Sequence, residues 1–371
     1  MDKTLTIKIK DSVDLFLYDD IYLTAYFMNT RVRKSFRVDG NFISLIGFID
    51  GYATIGEICD KMRIDHNVEE KETLNIIETL LKKNIATPVT RQQDKLSLDE
   101  IFKYSRQINY FSEFLGSEYA GITAQKKLKD SNVIIFGCGA VGGNIAVQLA
   151  MAGVEKFTLY DYDVVENSDV SRHLFFKTKH LGKRKIDSLR EELLRINKNI
   201  CVITYSERMV PDSNVEKIIR KASFVVNTMD EPYIGYTASK ISRICVLNDI
   251  PHFIAGGFDA HLASTGELIV PYKTPCVECY TDYFKEILKN WKPKDHPVKR
   301  RYLEIGGLSS MALFASSFAA IEIIKYIAGL AGDSYEYKTR GELLFGSLEL
   351  TYLTVEKNPN CVICGGRKNE T

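Results

Sequence analysis

Residues 133–142 read Val-Ile-Ile-Phe-Gly-Cys-Gly-Ala-Val-Gly, an apolar run that leads into glycines at positions 137, 139 and 142. A strand followed by Gly-x-Gly-x-x-Gly and a helix is typical of the turn that holds phosphate in doubly wound folds. Gly137 permits the tight turn, Gly139 lets phosphate approach the backbone, and Gly142 lets helix and strand pack closely. The helix start offers unpaired N–H groups and the positive end of its dipole to an anion. The stretch predicts an α/β, Rossmann-like nucleotide-binding domain.

Three further residues bear on which nucleotide this domain binds. Asp161 lies 19 residues after Gly142, where a doubly wound fold places the acid that accepts hydrogen bonds from ribose hydroxyls. A dehydrogenase has the same arrangement, so it stays an alternative. Arg172 and Lys185 follow, and together they can hold a triphosphate, which hydride transfer does not require. The pair favours ATP over NAD.

Two Cys-x-x-Cys pairs, Cys276 with Cys279 and Cys361 with Cys364, are separated by 81 residues. Each pair can present two thiolates to one tetrahedral Zn²⁺. Disulfides are the alternative, and they need an oxidising compartment. The first ten residues, MDKTLTIKIK, have no apolar signal-peptide core, so we expect a cytoplasmic protein with a structural zinc site. The other cysteines are expected to be buried free thiols: Cys59, Cys138, Cys201 and Cys245.

Residues 97–371 resemble the ThiF/MoeB-type adenylating enzymes, whose fold is shared with ubiquitin-activating enzymes. The motifs that carry the resemblance are the glycine loop, Asp161-Tyr-Asp163, Arg172, Leu181-Gly-Lys-Arg-Lys185, Asp230, both cysteine pairs and Tyr104-Ser-Arg106-Gln107. The resemblance implies attack of a carboxylate on the α-phosphate of ATP, which gives an acyl-adenylate and pyrophosphate. It also implies a sheet built from alternating strands and helices.

The resemblance assigns roles to individual residues. The catalytic candidates are Arg106, Arg172, Lys185 and Asp230, and the nucleotide-binding candidates are Gly137, Gly139, Gly142, Asp161, Asp163 and Asp169. Arg172 and Lys185 are expected to neutralise charge on the phosphates. Asp230 corresponds to an acid associated with Mg²⁺, and a helix N-cap is its alternative role. Arg106 is expected to reach into the active site of the other subunit of a homodimer, unless it forms a surface salt bridge.

Two departures from the family pattern carry information. Asp169 stands where the family usually has Asn, and a carboxylate cannot donate the hydrogen bond of an amide; it binds Mg²⁺ instead or changes the position of ATP. Residues 280–305 contain no cysteine, so the adenylate is expected to be consumed by something other than an enzyme thiol there. The same segment holds seven Lys and Arg residues, which indicates either a solvated face or a basic lid over an acidic peptide.

Composition limits the possible partners. The chain has 371 residues with 49 basic and 48 acidic side chains, so no global charge attracts it to nucleic acid or an anionic membrane. Its length predicts two domains. The most apolar segment, Met311 to Leu330, contains Glu322 and Lys325. We therefore expect a buried core helix that ends at Gly329, not a membrane span.

Residues 1–92 are expected to form a separate, small winged-helix-like α+β domain. Thr4–Lys10 alternates as a strand does, Thr54 and Glu57 form a capping-box pattern, and Val68–Lys83 predicts a helix. The segment resembles the PqqD-like peptide-clamp domains, which bind a leader peptide as an extra strand at an exposed sheet edge. A dimerisation or stability appendage is the alternative. A polar linker follows, and a capping box at Ser97 is expected to open the helix that carries Arg106.

Later elements complete the predicted second domain, residues 97–371. Phe157–Tyr160 and Phe224–Asn227 are predicted strands, and His180–Asn197 is a predicted helix. Glu267–Val270 and Leu343–Val355 are expected to be antiparallel and to form a later sheet near the zinc.

The combination of a peptide clamp, an adenylating domain and no thiol in the 280–305 segment resembles maturation enzymes of microcin C-type and pantocin-type peptide antibiotics. It implies ATP-dependent adenylation of a ribosomally made precursor peptide at a carboxylate or amide, with glutamate side chains as one option. The alternative enzyme is a sulfur-carrier adenylyltransferase that acts on a Gly-Gly C-terminus. A leader-binding scaffold without activity is the non-enzyme alternative, and the complete set of catalytic candidates argues against it.

Overall fold

The computed structural model describes residues 1–19, 21–89, 96–259, 262–291, 307–331 and 340–366. The chain divides into two compact units, Met1–Lys126 and Lys127–Thr371. The basic segment proposed as a lid lies largely outside the described residues, because 292–306 are not among them.

The first unit contains two antiparallel three-stranded sheets, with strand orders β5-β1-β6 and β2-β3-β4. Its strands are β1 (Thr6–Ile9), β2 (Val13–Tyr18), β3 (Tyr22–Phe27), β4 (Val32–Arg37), β5 (Asp50–Thr54) and β6 (Ala86–Pro88). Its helices are α1 (Gly40–Phe48), α2 (Ile55–His66), α3 (Glu70–Lys82), α4 (Leu98–Lys103), α5 (Ser105–Leu115) and α6 (Glu118–Asp130), the last of which crosses into the second unit. Ile7, Leu45, Ile58 and Ile77 are fully buried in one apolar core.

Local sequence explains where several of these helices begin. Thr54 and Glu57 form a capping box at the start of α2, as predicted, and the Thr54 hydroxyl accepts from the Glu57 N–H at 3.2 Å. Ser97 caps α4 in the same way, with its hydroxyl 3.3 Å from the Glu100 N. The prediction that this helix also carries Arg106 is wrong. Helix α4 ends at Lys103, and Arg106 lies in α5.

The second unit is built on a six-stranded sheet of order β14-β11-β10-β7-β8-β9, in which only β14 is antiparallel to its neighbour. Its strands are β7 (Asn132–Phe136), β8 (Lys156–Tyr160), β9 (Cys201–Tyr205), β10 (Phe224–Asn227), β11 (His252–Ile254), β12 (Phe258–Asp259), β13 (Leu262–Ser264), β14 (Glu267–Ile269), β15 (Gly341–Leu344) and β16 (Leu350–Tyr352). Its helices are α7 (Gly142–Met151), α8 (Asn167–Val170), α9 (Lys185–Ile196), α10 (Glu216–Ile219), α11 (Ile234–Leu247), α12 (Val277–Leu288) and α13 (Ser309–Ala328).

This topology confirms the predicted doubly wound, Rossmann-like fold. From β7 the chain moves outward through β8 and β9, then returns to the other side of β7 with β10 and β11. Ligands of such sheets bind where the strand order reverses, beyond the carboxyl ends of the strands. The structure therefore places the predicted site beyond the ends of β7, β8 and β10.

Two sequence-based expectations need correction. Glu267–Val270 does not belong to a later sheet, because Glu267 pairs with Ile254 and β14 becomes an edge of the main sheet. Strands β15 and β16 instead form a four-stranded sheet with β12 and β13. The helix expected from His180 begins only at Lys185, since a short 3₁₀ turn, Thr178–His180, and a loop precede it.

Helix α13 ends at Gly329, whose φ of 76° provides the left-handed C-cap that the sequence indicated. It is the one described helix long and apolar enough to cross a membrane by length and composition, and half of that apolar window is buried inside the protein. The helix packs against α7, so in this fold it is a core helix.

Candidate active site

The glycine loop joins β7 to α7 with very little space inside the turn. Gly137 has φ of +88°, a left-handed conformation that glycine adopts without steric cost. A Cβ on Gly142 would lie 2.0 Å from the Gly137 carbonyl oxygen, whereas a Cβ on Gly139 would meet no atom within 4 Å. Gly137 and Gly142 therefore serve the turn and its packing, and Gly139 leaves the loop surface open. No side chain caps α7, so the positive end of its dipole is open to an anion. The Gly143 N–H donates within the loop, to the Gly139 carbonyl at 2.9 Å.

Asp161 anchors this loop from the neighbouring strand. Its Oδ2 accepts from the Cys138 N–H at 2.6 Å, and its Oδ1 accepts from the Asp163 N–H at 2.7 Å. Burial raises the pKa of Asp161 above its ordinary value, although the two backbone hydrogen bonds oppose that shift. Thr228 holds the loop from the other side, since its hydroxyl donates to the Gly137 carbonyl at 2.9 Å. The sequence did not single out Thr228.

A buried carboxylate links the two cations that were predicted to hold phosphate. Asp169 is 2% exposed. Its Oδ1 lies 3.1 Å from Arg172 Nη2, and its Oδ2 lies 3.6 Å from Lys185 Nζ. Lys185 also contacts Asp163 Oδ2 at 3.1 Å. Burial by itself lowers the pKa of Lys185, but the nearby carboxylates of Asp169, Asp163 and Asp161 outweigh burial and raise it.

These groups surround one cavity of about 460 Å³. The predicted residues that line it are Gly137, Gly139, Asp161, Asp163, Asp169, Arg172, Lys185 and Asp230. Asp230 is exposed and follows strand β10. It is not an N-cap, because α11 begins at Ile234 with Tyr233 as its N-cap residue.

The cavity wall also includes side chains that the sequence analysis missed. The Tyr162 hydroxyl donates to Glu231 Oε2, which Arg208 Nη2 also contacts at 3.2 Å. The Arg208 guanidinium lies 5.5 Å from the centre of the Tyr162 ring. The hydrogen bond to Glu231 raises the pKa of Tyr162 to about 12, so the phenol stays protonated. Tyr162 and Glu231 stand beside Asp161 and Asp230 in sequence, and that adjacency was the available signal.

Two predicted residues lie outside this lining. Gly142 is buried at the start of α7. Arg106 is exposed and lines a different cavity, of about 360 Å³, within the first unit, together with Lys10, Tyr110 and Glu113.

The four cysteines of the two Cys-x-x-Cys pairs come together in a buried cluster. Their sulfur atoms all lie within 4.8 Å of one another, with Cys276 to Cys361 and Cys279 to Cys364 each at 3.5 Å. A disulfide needs about 2 Å between sulfurs, so all four thiols are free. Of the other cysteines, Cys59, Cys138 and Cys245 are buried as predicted, but the prediction for Cys201 is wrong, because its side chain is exposed. Tetrahedral Zn–S bonds of about 2.3 Å place sulfurs about 3.8 Å apart, so the cluster fits one such metal ion. The Asn358 N–H points to the Cys279 sulfur at 3.5 Å and gives one ligand an outer hydrogen bond.

A glycine-rich turn and paired cations at the switch point of a doubly wound sheet are typical of nucleotide-binding proteins. Residues 104–363 match the ThiF family, so the chain belongs to this family.

Curated relatives agree with the family. The adenylyltransferase and sulfurtransferase MOCS3 of Sus scrofa is 29% identical over 279 residues, 74% of this chain and 56% of MOCS3. The adenylyltransferase and sulfurtransferase UBA4 of Saccharomyces cerevisiae is 29% identical over 221 residues, 58% of this chain and 47% of UBA4. The chain thus spans about half the length of these relatives.

Solved structures share the fold along nearly the whole chain. E. coli MccB with ATP gives a TM-score of 0.70 at 21% identity, covering 97% of this chain and 99% of MccB. PaaA gives a TM-score of 0.73 at 22% identity, covering 94% of this chain and 100% of PaaA. Another MccB structure is that of a microcin C7 biosynthetic enzyme in complex with N-formylated MccA.

Proposed function

We propose that this protein adenylates a ribosomally made precursor peptide at the expense of ATP. The observation that carries the proposal is the reach of the structural likeness to MccB, which covers 97% of this chain and so includes its N-terminal unit. A precursor peptide would take the place here that MccA takes on MccB. The protein would act in the cytoplasm, where ribosomally made peptides and ATP are both present.

The proposed chemistry needs little covalent help from the protein. A carboxylate oxygen, or the oxygen of an amide, attacks the α-phosphorus, and the bond to the β-phosphate oxygen breaks as pyrophosphate leaves. Arg172 and Lys185 stabilise charge on the phosphates, and the α7 N-terminus holds a phosphate against Gly139. Asp161 contacts the ribose. Asp163 and Asp230 line the cavity and offer oxygen ligands to Mg²⁺.

The adenylate would then be consumed by a nucleophile of the peptide or would remain as a peptide–AMP linkage. Residues 280–305 hold no cysteine, so no enzyme thioester forms there. The buried cysteine cluster would hold Zn²⁺ as a structural ion, since its four thiols leave no open position for chemistry.

Residues 1–92 would form the domain that recognises the leader of this peptide, and residues 97–371 the adenylating domain. Both small sheets of the first unit end in edge strands, and an extended peptide can add to such an edge through main-chain hydrogen bonds.

The proposal is tested by ATP turnover, with AMP and pyrophosphate resolved from ADP and phosphate. The acceptors are a panel of leader-bearing peptides, a carrier protein with a Gly-Gly C-terminus, and buffer alone. Peptide-dependent pyrophosphate release is expected. Arg172→Ala should reduce it by about 10²-fold or more, whereas Arg220→Ala, a surface arginine paired with Glu216 at 2.7 Å, should leave it unchanged. Activity with Arg172→Ala equal to that of the unmodified protein would refute the assignment of the site.

We further propose that the enzyme is a homodimer in which Arg106 serves the partner's site. Arg106→Ala and Arg172→Ala proteins should each be nearly inactive. Dissociating and mixing the two variant proteins forms mixed dimers, and one of the two sites in each mixed dimer keeps both arginines. Mixing should therefore restore about a quarter of full activity. No recovery in verified mixed dimers would assign Arg106 to its own subunit.

A second candidate function is adenylation of a sulfur-carrier protein at its Gly-Gly C-terminus. The curated relatives MOCS3 and UBA4 favour it, because both are adenylyltransferases and sulfurtransferases. Pyrophosphate release that depends on the carrier and not on any peptide would establish this function instead.

A further inference from the structure

The outward face of the β2-β3-β4 sheet carries aromatic and guanidinium side chains. In the ladder, Tyr18 is opposite Tyr22, Tyr22 is opposite Arg37, and Tyr26 is opposite Arg33. Because side chains alternate between the two faces of a sheet, one face carries all the residues of these pairs together with Phe16: Phe16, Tyr18, Tyr22, Tyr26, Arg33 and Arg37. The other face, which includes Val13 and Ala25, packs into the core. Phe16, Tyr18 and Tyr22 are 43%, 57% and 48% exposed; an exposed aromatic cluster of this kind marks an interaction surface.

The β4 border of this face is positively charged. Among the described residues, neither Arg33 nor Arg37 has a carboxylate within 4 Å. Arg33 lies over the Tyr26 ring, with 5.6 Å between the guanidinium carbon and the ring centre. The acid on this face, Asp14, sits on the far strand β2 and accepts a hydrogen bond from the Leu15 N–H at 2.9 Å. The two arginines are four residues apart, about 13 Å along an extended strand.

Strand β4 is also the last strand of its sheet. Within the described part of the chain, β3 is its one ladder partner. A peptide strand added to this edge would place alternate side chains beside Arg33, Ser35 and Arg37. The peptide residue between those beside Ser35 and Arg37 would face inward, next to Phe36, which packs against the core.

We propose that β4 is the strand to which the leader adds, and that it selects an extended, acidic peptide. The recognised pattern has two carboxylates four residues apart, opposite Arg33 and Arg37, with an apolar residue beside Phe36. This inference rests on the proposed function, because it takes the occupant to be a leader peptide and not a second copy of the chain or a nucleic acid.

The test uses the full chain and fluorescein-labelled nine-residue peptides in anisotropy titrations at low salt. The parent peptide alternates threonine and valine, and two threonines four residues apart are replaced by glutamate, glutamine or lysine. The glutamate peptide should bind about tenfold more tightly than the glutamine peptide, the effect of two exposed ion pairs. The double change Arg33→Glu with Arg37→Glu should reverse the preference towards the lysine peptide. The control Arg63→Glu changes a 64%-exposed arginine of α2 and should alter nothing.

Equal affinity for the three peptides, or an unchanged preference after the double reversal, would overturn the inference. Two other results would also overturn it. One is tighter binding of a uridine oligonucleotide that competes with the glutamate peptide, and the other is an effect of the double change on binding that comes only from dissociation of a dimer. If the reversed protein does not fold, Arg33→Gln with Arg37→Gln removes the charge and should abolish the glutamate preference. Hydrogen exchange adds an independent readout, since the glutamate peptide should protect amides of residues 32–37 and not those of residues 13–18.

These titrations need no ATP and separate the inference from the proposed function. A protein that prefers the glutamate peptide but releases no pyrophosphate with any peptide would refute the function and leave the recognition pattern standing.

Discussion

Two alanine substitutions in the glycine loop should separate stability from ATP binding: Gly142→Ala should lower stability, and Gly139→Ala should weaken ATP binding. The Cβ of Gly142→Ala would lie 2.0 Å from the Gly137 carbonyl oxygen and 2.6 Å from the Thr228 hydroxyl. Backbone cannot yield as a flexible side chain can, so the turn or the helix must shift. The Cβ of Gly139→Ala would meet no protein atom within 4 Å, but it would occupy the loop surface that faces the cavity.

The expected sizes follow from this geometry. Overpacking typically costs 1–3 kcal/mol of stability. Because this backbone contact is so short, we expect Gly142→Ala to lower the free energy of unfolding by about 3 kcal/mol. The second unit has 245 residues, 127 to 371, for which 1 kcal/mol corresponds to roughly 2–4 °C in Tm. Gly142→Ala should therefore lower Tm by about 6–12 °C. Gly139→Ala should leave Tm within about 2 °C and weaken MgATP binding about tenfold or more, because the methyl group displaces a phosphate.

The assay is thermal unfolding combined with calorimetric titration of MgATP on both variants. A Gly139→Ala protein that binds ATP like the unmodified chain would refute the placement of phosphate against this loop. A Gly142→Ala protein with unchanged Tm would refute the packing argument.

Three further predictions concern the buried charges and the cysteine cluster. Asp169→Asn should lower peptide-dependent kcat about tenfold and tighten ATP binding, because the carboxylate both orients Arg172 and Lys185 and competes with phosphate for them. If the variant instead needs more Mg²⁺ for activity, Asp169 is a metal ligand. Burial lowers the pKa of His173 and His252 from 6.5 to about 4, so the unfolded chain binds more protons between these values. The free energy of unfolding should therefore fall as pH drops from 6.5 to 4, by up to about 3 kcal/mol per histidine, and urea unfolding that is independent of pH there would contradict this. Cys361→Ser should abolish one bound zinc per chain by elemental analysis and lower Tm, whereas Cys201→Ser, at an exposed thiol outside the cluster, should change neither.

The core of the fold could be predicted because its signals are local. The glycine loop, the apolar run before it and the helix after it lie within twenty residues, and each has one structural interpretation in this order. The Cys-x-x-Cys pairs predicted a shared site across 81 intervening residues, because two thiolates alone do not complete a tetrahedral site. The structure brings the four sulfurs together.

Other features depend on contacts that no local pattern encodes. Tyr162 and Glu231 are 69 residues apart in sequence, and their hydrogen bond forms only because β8 and β10 flank β7. Strand β2 was missed because Phe16 and Tyr18 are apolar residues on its exposed face, so the strand lacks polar–apolar alternation. The location of Arg106 in α5 depends on the turn at Tyr104, where the sequence offers no glycine or proline to mark a break.

Peptide adenylation is tested by following the α-phosphate of ATP. The full chain is incubated with Mg²⁺, ATP labelled at the α-phosphorus, and a leader-bearing peptide whose acceptor group is intact or replaced. The label is expected in AMP or in a peptide–AMP linkage, with one pyrophosphate released per labelled product, and only with the intact peptide. Label in ADP, or AMP formed at the same rate without peptide, would contradict peptide adenylation.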